Sequence, residues 1–241
     1  MEPTRTARLT PPALRLIAAA SAMGLSLDHA AAGSLVALLD LMAVEPQNLT
    51  AITSMDDGID RHLLDSLSGW TLEPVRRAET LVDLGSGAGF PGIPLATISP
   101  DCAVTLVESE GRKADWLVRA ARELPNVRVL ADRTENLARA ERERWDVATA
   151  RALAPLRTVV ELAAPLVAVG GTLVVWRGPR DADEEARGDG AAAMLGFAPA
   201  TVTPVEPFHG AARHLHCYTK LAPAPDRFPR RPGRAAKRPL A

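Results

Sequence analysis

Three glycines at alternate positions follow a short apolar run, and this segment is the part of the sequence best suited to hold a ligand. Residues 81–92 read Leu-Val-Asp-Leu-Gly-Ser-Gly-Ala-Gly-Phe-Pro-Gly. The apolar run is typical of a buried strand, and Pro91 suits the first turn of a following helix. Because glycine lets a ligand approach the main chain, and ligands of parallel sheets bind at the carboxyl ends of strands, we expect a binding loop at Gly85, Gly87 and Gly89.

An acidic residue, Glu108, ends the next run of strand character, residues 104–108. Nucleotide-binding folds place such a carboxylate about 20 residues after the glycine loop, where it accepts hydrogen bonds from both ribose hydroxyls. Taken alone, Glu108 is better explained as a surface acid at a strand end. In combination with the glycine loop, we interpret it as a ribose ligand.

A second glycine pattern overlaps the first. Residues 87–92 match the G-x-G-x-x-G pattern of dinucleotide sites. In those sites the first glycine follows the strand directly, and here that position belongs to Gly85. Phe90 occupies the position that the third glycine would need. We therefore keep a nicotinamide-dependent dehydrogenase only as an alternative, behind the functions considered below.

Two arginines follow later strands of the same pattern. Arg151 comes after residues 145–148, and Arg177 comes after residues 172–176. Guanidinium groups at this edge suit an anionic substrate or the acceptor edge of guanine, because arginine donates to two acceptors at once. The alternatives are a salt bridge for Arg151 and a surface position for Arg177.

The elements that must position these residues form an alternating pattern after Pro74. Strands alternate with helices, and a strand pair closes the pattern; the predicted strands are 81–84, 104–108, 127–130, 145–148, 172–176, 201–206 and 214–221. This alternation predicts an α/β fold with a mostly parallel sheet. Residues 12–45 and 58–67 have helical spacing, and Asp28 suits the cap of a helix. We therefore divide the chain into an N-terminal helical extension (1–74), a sheet domain (75–222) and a tail (223–241).

Composition excludes several classes of protein. The chain has 241 residues, of which 47% are apolar and 24% charged, so wholesale disorder is excluded. No apolar run reaches the ~18 residues of a membrane span, and residues 1–10 lack the pattern of a secretory signal. Cys102 and Cys217 are the only cysteines, which fits a reducing cytoplasm. No spacing of metal ligands is present, and we expect no metal.

The end of the chain is basic. Residues 226–241 hold six basic residues and one acid, although the whole chain has a net charge of −1. Such a tail indicates either a polyanionic partner or a solvated, disordered terminus. No protein partner can be inferred from it.

Residues 81–92 resemble the first motif of class I S-adenosylmethionine-dependent methyltransferases, in which an apolar strand and an acid precede G-x-G-x-G. The resemblance implies a Rossmann-like, mostly parallel seven-stranded sheet and a glycine loop around the cofactor. It also implies that Glu108 binds the ribose, and that Thr134 and Glu135, after the third strand, lie at the adenine. Helix capping by Asp132 or Thr134 is the alternative.

Two kinds of methyl acceptor lack their expected motif. Enzymes that methylate exocyclic base amines resemble one another in an Asn/Asp-Pro-Pro-aromatic segment after the fourth strand, and residues 148–155 contain none. Methylation of pyrimidine carbon 5 needs a nucleophilic cysteine, and neither cysteine lies there.

Several segments in order resemble the small-subunit ribosomal RNA guanine-N7 methyltransferase G family, also called glucose-inhibited division protein B. They are Asn48-Leu49-Thr50, Arg61-His62-Leu63-Leu64-Asp65-Ser66, residues 81–95, Arg151-Ala152-Leu153-Ala154-Pro155 and Arg213-His214-Leu215. The resemblance implies methyl transfer from S-adenosylmethionine to N7 of a guanine in the decoding region of 16S rRNA. The partner would be 16S rRNA or the 30S particle, in the cytoplasm, with no membrane involved.

The resemblance also implies roles for individual residues. The implied cofactor ligands are Gly85, Ser86, Gly87, Gly89, Phe90, Glu108, Thr134, Glu135 and Arg151. The implied active-face residues are Arg151, Arg177 and Arg213, with RNA contacts from His62, Arg112, Arg177, Arg213 and His214. Each histidine is equally well explained as a buried, hydrogen-bonded side chain. Many members carry Lys-Gly where this chain has Arg177-Gly178, and aromatic residues expected near residues 43–47 are missing.

Two further alternatives remain open at this point. One is a small-molecule methyltransferase on the same fold, against which the basic tail and the arginines argue. The other is a non-catalytic RNA-binding factor in ribosome assembly that has kept the pocket without turnover. A test for methyl transfer to RNA distinguishes both alternatives from an rRNA guanine-N7 methyltransferase.

Overall fold

One sheet of seven strands organises the protein. The structure is a computed structural model that describes residues 10–240. The strands are β1 (Thr80–Leu84), β2 (Ala103–Glu108), β3 (Val127–Ala131), β4 (Trp145–Arg151), β5 (Val167–Arg177), β6 (Thr201–Val205) and β7 (Arg213–Thr219). Their order is β3-β2-β1-β4-β5-β7-β6. The first five strands are parallel, and β7 is antiparallel to both β5 and β6.

Helices cover both faces of this sheet. They are α1 (Pro11–Ala22), α2 (His29–Ala43), α3 (Met55–Gly58), α4 (Asp65–Leu67), α5 (Glu73–Arg77), α6 (Gly92–Ile98), α7 (Gly111–Ala120), α8 (Thr134–Ala140), α9 (Leu156–Ala163), α10 (Ala182–Met194) and α11 (Arg234–Lys237). A π-helical stretch, Ile59–Leu64, joins α3 to α4 without a break. Asp28 caps α2 as predicted, since its carboxylate accepts a hydrogen bond of 2.7 Å from the amide of Ala31.

The N-terminal helices share a hydrophobic core with the sheet. Leu35 and Leu39 of α2 and Leu63 of the π-helical stretch are buried in one cluster with Leu106 of β2. A second cluster on the opposite face unites α9 and α10 with Phe228 of the tail. The described part of the predicted extension, residues 10–74, therefore packs on one face of the sheet. The N-terminal residues 1–9, which we expected to lack a secretory signal, lie outside the described residues.

Strand β5 is longer than predicted, and two glycines explain the difference. Gly170 and Gly171 were expected to lead into the strand, and the structure places them inside it. The pairing of β4 with β5 shifts register there, from Trp145 opposite Val167 to Val147 opposite Thr172. Gly170 has φ +89°, which suits an irregularity within a strand. The glycine pair thus marks a bulge within the strand. In the sequence alone, a glycine pair at a bulge cannot be told from one at a turn.

The tail, for which a solvated, disordered terminus was one of two interpretations, lies against the body of the protein. Phe228 is 2% exposed, and the Arg142 guanidinium donates hydrogen bonds to the carbonyls of Ala224 and Phe228. Arg230 forms a short ion pair with the buried carboxylate of Glu161. One apolar anchor and one countercharge fix this segment, and neither is visible in a composition dominated by proline and arginine. Among residues 10–240, no helix is both long and apolar enough to cross a membrane.

Candidate functional site

The loop between β1 and α6 has the backbone geometry that the glycines predicted. Gly85, Gly87 and Gly89 have φ values of +63°, +57° and +102°, a region that favours glycine. A Cβ atom on Gly85 or Gly89 would lie 2.5 Å from the side chain of Leu153 or Ile93. A Cβ on Gly87 would meet nothing closer than the Gly85 carbonyl oxygen at 3.8 Å. Gly87 is therefore the point at which the loop turns its main chain towards open space.

Glu108 holds this loop to the end of β2. Its Oε2 accepts a hydrogen bond of 3.0 Å from the amide of Gly87, and its Oε1 accepts one of 2.8 Å from the amide of Glu110. Each carboxylate oxygen keeps a further lone pair for a ligand hydroxyl. Ser86 is buried, and its hydroxyl donates to the carbonyl of Asp83 at 3.0 Å, so this side chain serves the loop itself.

A buried carboxylate, Asp83, supports the loop from below. Its Oδ1 accepts a hydrogen bond of 2.7 Å from the hydroxyl of Thr149 in β4, and its Oδ2 accepts one of 3.3 Å from the amide of Gly92. Burial raises the pKa of Asp83 to about 6. A Cβ on Gly92 would lie 2.3 Å from Leu106, which explains why α6 starts with glycine. The carboxylate thus ties two central strands to the start of the helix.

Three arginines meet at the carboxyl edge of β4 and β5, in an open cavity of about 520 Å³. Arg151 ends β4, Arg177 ends β5, and Arg213 begins the antiparallel β7, which brings it to the same edge. Arg177 pairs with Glu184 at 3.1 Å. The prediction that the sheet gathers arginines at one edge agrees with this geometry for Arg151 and Arg177. The antiparallel β7 adds Arg213, which only the family resemblance had placed on the active face.

Asp65 connects two of these arginines. Its Oδ2 accepts a hydrogen bond of 2.8 Å from Nη1 of Arg151, and its Oδ1 lies 3.3 Å from Nε of Arg213. Sequence reasoning did not assign this residue a role. The available signal was an acid inside the apolar run of residues 63–67, where a charge is buried only with a partner.

His62 is a buried, fully paired histidine. Its ring stacks on Phe90, with centroids 4.6 Å apart and planes 6° apart. Arg151 lies 3.3 Å from Nδ1, so this nitrogen accepts, and Nε2 donates to the hydroxyl of Thr50 at 3.0 Å. Burial, together with the charge of Arg151, lowers the pKa of His62 to about 4. Of the two interpretations of His62, the structure favours the buried one, because both ring nitrogens already have partners within the chain.

The remaining predicted residues lie around these two clusters. Nδ1 of His214 lies 2.8 Å from the carbonyl oxygen of Gly178, so this nitrogen donates to it and is used within the chain. Arg112 is exposed in the first turn of α7, next to the end of β2. Thr134 starts α8, whose cap, Arg133, makes no side-chain hydrogen bond. Oε1 of Glu135 accepts a hydrogen bond of 2.8 Å from the amide of Gly233, so this side chain is turned towards the tail.

Comparison with known proteins gives consistent matches. The model of the rRNA small subunit methyltransferase G family matches residues 30–215. A ribosomal RNA small subunit methyltransferase G of Chloroflexus aggregans is 46% identical over 200 residues, which cover 80% of this chain and 82% of the relative. The enzyme of the same name from Caldanaerobacter subterraneus is 35% identical over 232 residues, which cover 93% of this chain and 97% of the relative.

Solved structures share the fold. A predicted O-methyltransferase from Agrobacterium tumefaciens has a TM-score of 0.52 at 24% identity and covers 68% of this chain and 84% of its own. Fibrillarin of Aeropyrum pernix with natively bound S-adenosyl-L-methionine has a TM-score of 0.50 at 18% identity, over 64% of this chain and 72% of its own. The predicted fold class, a mostly parallel seven-stranded sheet of the class I methyltransferase type, is confirmed.

The raised pKa of Asp83 predicts how stability depends on pH. The folded chain holds this proton up to a pH of about 6, whereas the unfolded chain releases it at about 4. The free energy of unfolding should therefore fall as pH rises from about 4 to about 6 and stay level above, by about 3 kcal/mol in total for this group. Urea unfolding of the wild type and of Asp83→Asn over this range isolates the effect. A difference between the two proteins that does not change with pH would contradict the prediction.

Proposed function

The chain belongs to the rRNA small subunit methyltransferase G family, and we propose that it transfers a methyl group to N7 of a guanine in the decoding region of 16S rRNA. Family membership makes it an enzyme that depends on S-adenosylmethionine and methylates small-subunit ribosomal RNA. The observation that carries the N7 proposal is the meeting of Arg151, Arg177 and Arg213 in one cavity at the carboxyl edge of the sheet.

The glycine loop fits the cofactor. Bound S-adenosylmethionine supplies a methyl group on a positively charged sulfur, which is open to attack by a lone pair. Gly87 offers a main-chain surface that a side chain would fill, and Glu108 at the end of β2 keeps acceptor capacity for the ribose. We assign the adenine end to the backbone of Thr134 and Glu135, because the side chain of Glu135 is turned towards the tail.

The chemistry of guanine N7 suits the groups in the cavity. N7 has an in-plane lone pair and no proton, so its attack on a methyl group needs no general base. His62 and Asp65, which line the cavity and could take up a proton, are both paired within the chain. What remains for the protein is alignment of the nucleophile with the methyl group, an effect that is worth large factors in rate.

The arginines supply that alignment in our proposal. Arg151 is fixed by Asp65 and by the carbonyl of Arg61 at 3.0 Å, and its guanidinium lies 5.3 Å from the ring centroid of Phe90. We therefore assign Arg151 to the boundary between cofactor and base. Arg177 and Arg213 keep partly exposed guanidinium groups, and we assign them to guanine O6 or to phosphate.

The tail supplies a second, sequence-independent attraction to RNA. Its buried residues fix a short segment on the surface, and Arg227, Arg231, Arg234, Lys237 and Arg238 are exposed on it. Cations that neutralise phosphates release counterions, which strengthens binding in a salt-dependent way. Because the substrate is ribosomal RNA, we propose the cytoplasm as its compartment, with 16S rRNA or the 30S particle as the partner.

Mapping of methylated guanosine tests the proposed function. Purified protein and S-adenosylmethionine are incubated with unmodified 16S rRNA and with 30S particles, and N7-methylguanosine is located by mass spectrometry of RNA fragments. The proposal expects one new N7-methylguanosine in the decoding region. A methyl group on another atom would overturn the N7 assignment, and no transfer to either substrate would favour a non-catalytic assembly factor.

The open space at Gly87 predicts the effect of a side chain there. Gly87→Val should reduce affinity for S-adenosylmethionine by more than about tenfold, because the side chain enters the space of the ligand. The matched control is Gly24→Val, since Gly24 also has a positive φ, +78°, and open space around its Cβ position. Calorimetric titration measures both variants. Equal affinities in wild type and Gly87→Val would refute the placement of the cofactor.

The role of Arg151 predicts a severe loss of activity. Arg151→Ala should lower the rate of methyl transfer by on the order of 10²-fold, because alignment is lost. Arg151→Lys should restore little of it, since an ammonium cannot reproduce a planar fork with two donors. The single-turnover rate of the wild type should show no limb from an essential base between about pH 6 and 8. A bell-shaped profile, or an active Arg151→Ala enzyme, would point to an acceptor that must lose a proton.

The tail predicts a change in the salt dependence of RNA binding. Replacing Arg234 and Lys237 by glutamine should flatten the slope of log affinity against log salt by about one unit, as expected for one to two lost phosphate contacts. The control replaces Arg77 and Arg122, which are exposed cations outside the tail and the cavity. Filter binding at several salt concentrations provides the slopes, and cofactor affinity should stay unchanged. Identical slopes in tail variant and wild type would make the tail a purely structural segment.

A further inference from the structure

We propose that Asp65 is a positioning residue of the methyl transfer, which directs Arg151 and Arg213 towards the substrate; this inference rests on the roles proposed above for these two arginines. Asp65 is 6% exposed at the start of α4. One carboxylate oxygen contacts the arginine at the end of β4, and the other contacts the arginine at the start of β7. A single side chain from the N-terminal helices therefore links two strands that approach the edge from opposite directions.

The backbone of Asp65 is itself held in place. Its carbonyl oxygen accepts a hydrogen bond of 2.8 Å from Nε1 of Trp176 in β5 and one of 2.6 Å from the hydroxyl of Ser68. Gly69 lies directly against the indole, and a Cβ there would be 2.4 Å from it. The helix is thus locked to a third strand, and the carboxylate has little freedom to follow the arginines if they move.

The two contacts of the carboxylate differ in kind. Oδ2 accepts a directed hydrogen bond from Arg151, whereas Oδ1 makes no hydrogen bond although Arg213 lies 3.3 Å away. Arg151 is consequently fixed in direction, and Arg213 is attracted by charge alone. Side-chain exposure agrees with this difference, at 15% for Arg151 and 33% for Arg213. Besides Asp65, Arg213 has only a hydrogen bond of 3.3 Å from Nη1 to the carbonyl of Ala212 and the ring of Phe208 at 5.8 Å, so its guanidinium can turn to an incoming base or phosphate more easily than that of Arg151.

The local charge balance explains why the carboxylate matters. Arg151, Arg177 and Arg213 face the carboxylates of Asp65 and Glu184, and His62 is neutral at pH 7. Arg61 also lines the cavity and is balanced by Asp57 at 3.2 Å, so the cluster has one positive charge in excess. Glu184 is already engaged by Arg177 and by the amide of Leu156 at 2.7 Å. Without the charge of Asp65, Arg151 and Arg213 repel each other with no compensating partner, and their preferred direction is towards solvent.

A double-mutant cycle tests the proposal. Asp65→Asn should lower kcat on 16S rRNA by on the order of 10²-fold with a smaller change in KM, because alignment is lost while the tail still binds RNA. In an Arg213→Gln background the same substitution should cost much less than in the wild type, since part of its effect acts through Arg213. Asp65→Glu keeps the charge and should recover part of the lost rate. If Asp65→Asn does not fold, the cycle is measured with Asp65→Glu and Arg213→Gln instead.

The matched control is Asp60→Asn. Asp60 lies in the π-helical stretch that leads into α4, and it pairs with Arg15 at 2.8 Å, away from the cavity. This control should leave kcat within about twofold of wild type, as expected for a partly exposed pair. Full activity of Arg213→Gln would overturn the role proposed for that arginine. Impaired Arg213→Gln combined with additive effects of the two substitutions would instead overturn the positioning role of Asp65 and leave the proposed function standing.

Discussion

The geometry of the site depends on the hydrogen bonds of one buried carboxylate, that of Asp83. It receives a hydroxyl from β4 and an amide from the start of α6, so one side chain fixes the distance between the two central strands and the point where the helix begins. The glycine loop spans that gap, and its path is further determined by the bond from Gly87 to Glu108 in the neighbouring strand. Three strands and a helix are thereby set before any ligand arrives, which is the condition for a preorganised site.

Much of this architecture could be predicted from local patterns. The seven strands, their mostly parallel arrangement and the cap at Asp28 follow from periodicity and from glycine and proline signals within a few residues. The length of β5 could not be predicted, because a glycine pair reads in the same way at a turn and at a bulge. The contacts of the tail could not be predicted for a different reason. Its partners, Arg142 and Glu161, lie 69 or more residues away in sequence, and composition carries no information about such contacts.

The same limit applies to the site. Positions at strand ends predicted that Arg151 and Arg177 would share an edge, whereas only the family resemblance placed Arg213 on the active face. Their partners could not be predicted, since Asp65 reaches Arg151 across 86 residues and through a different layer of the fold. His62 is an example of a residue whose role could not be read from the sequence, because it depends on such distant contacts. A motif places it near the active face, yet the stacking on Phe90 and the low pKa that exclude a charged role depend on packing alone.

The reversed direction of β7 has a consequence for how this chain tolerates change in length. Because β7 runs against β5, with Arg177 opposite His214, a residue from the last third of the chain reaches the edge of Arg151 and Arg177 at the first position of its strand rather than at the end. Insertions at the exposed His209 and Gly210, in the loop between β6 and β7, lie outside that pairing and should be accepted during evolution. A slip of one residue between β5 and β7 would turn Arg213 to the other face of the sheet and remove it from the edge. The pairing of this one strand therefore decides which changes in length the C-terminal half can accept.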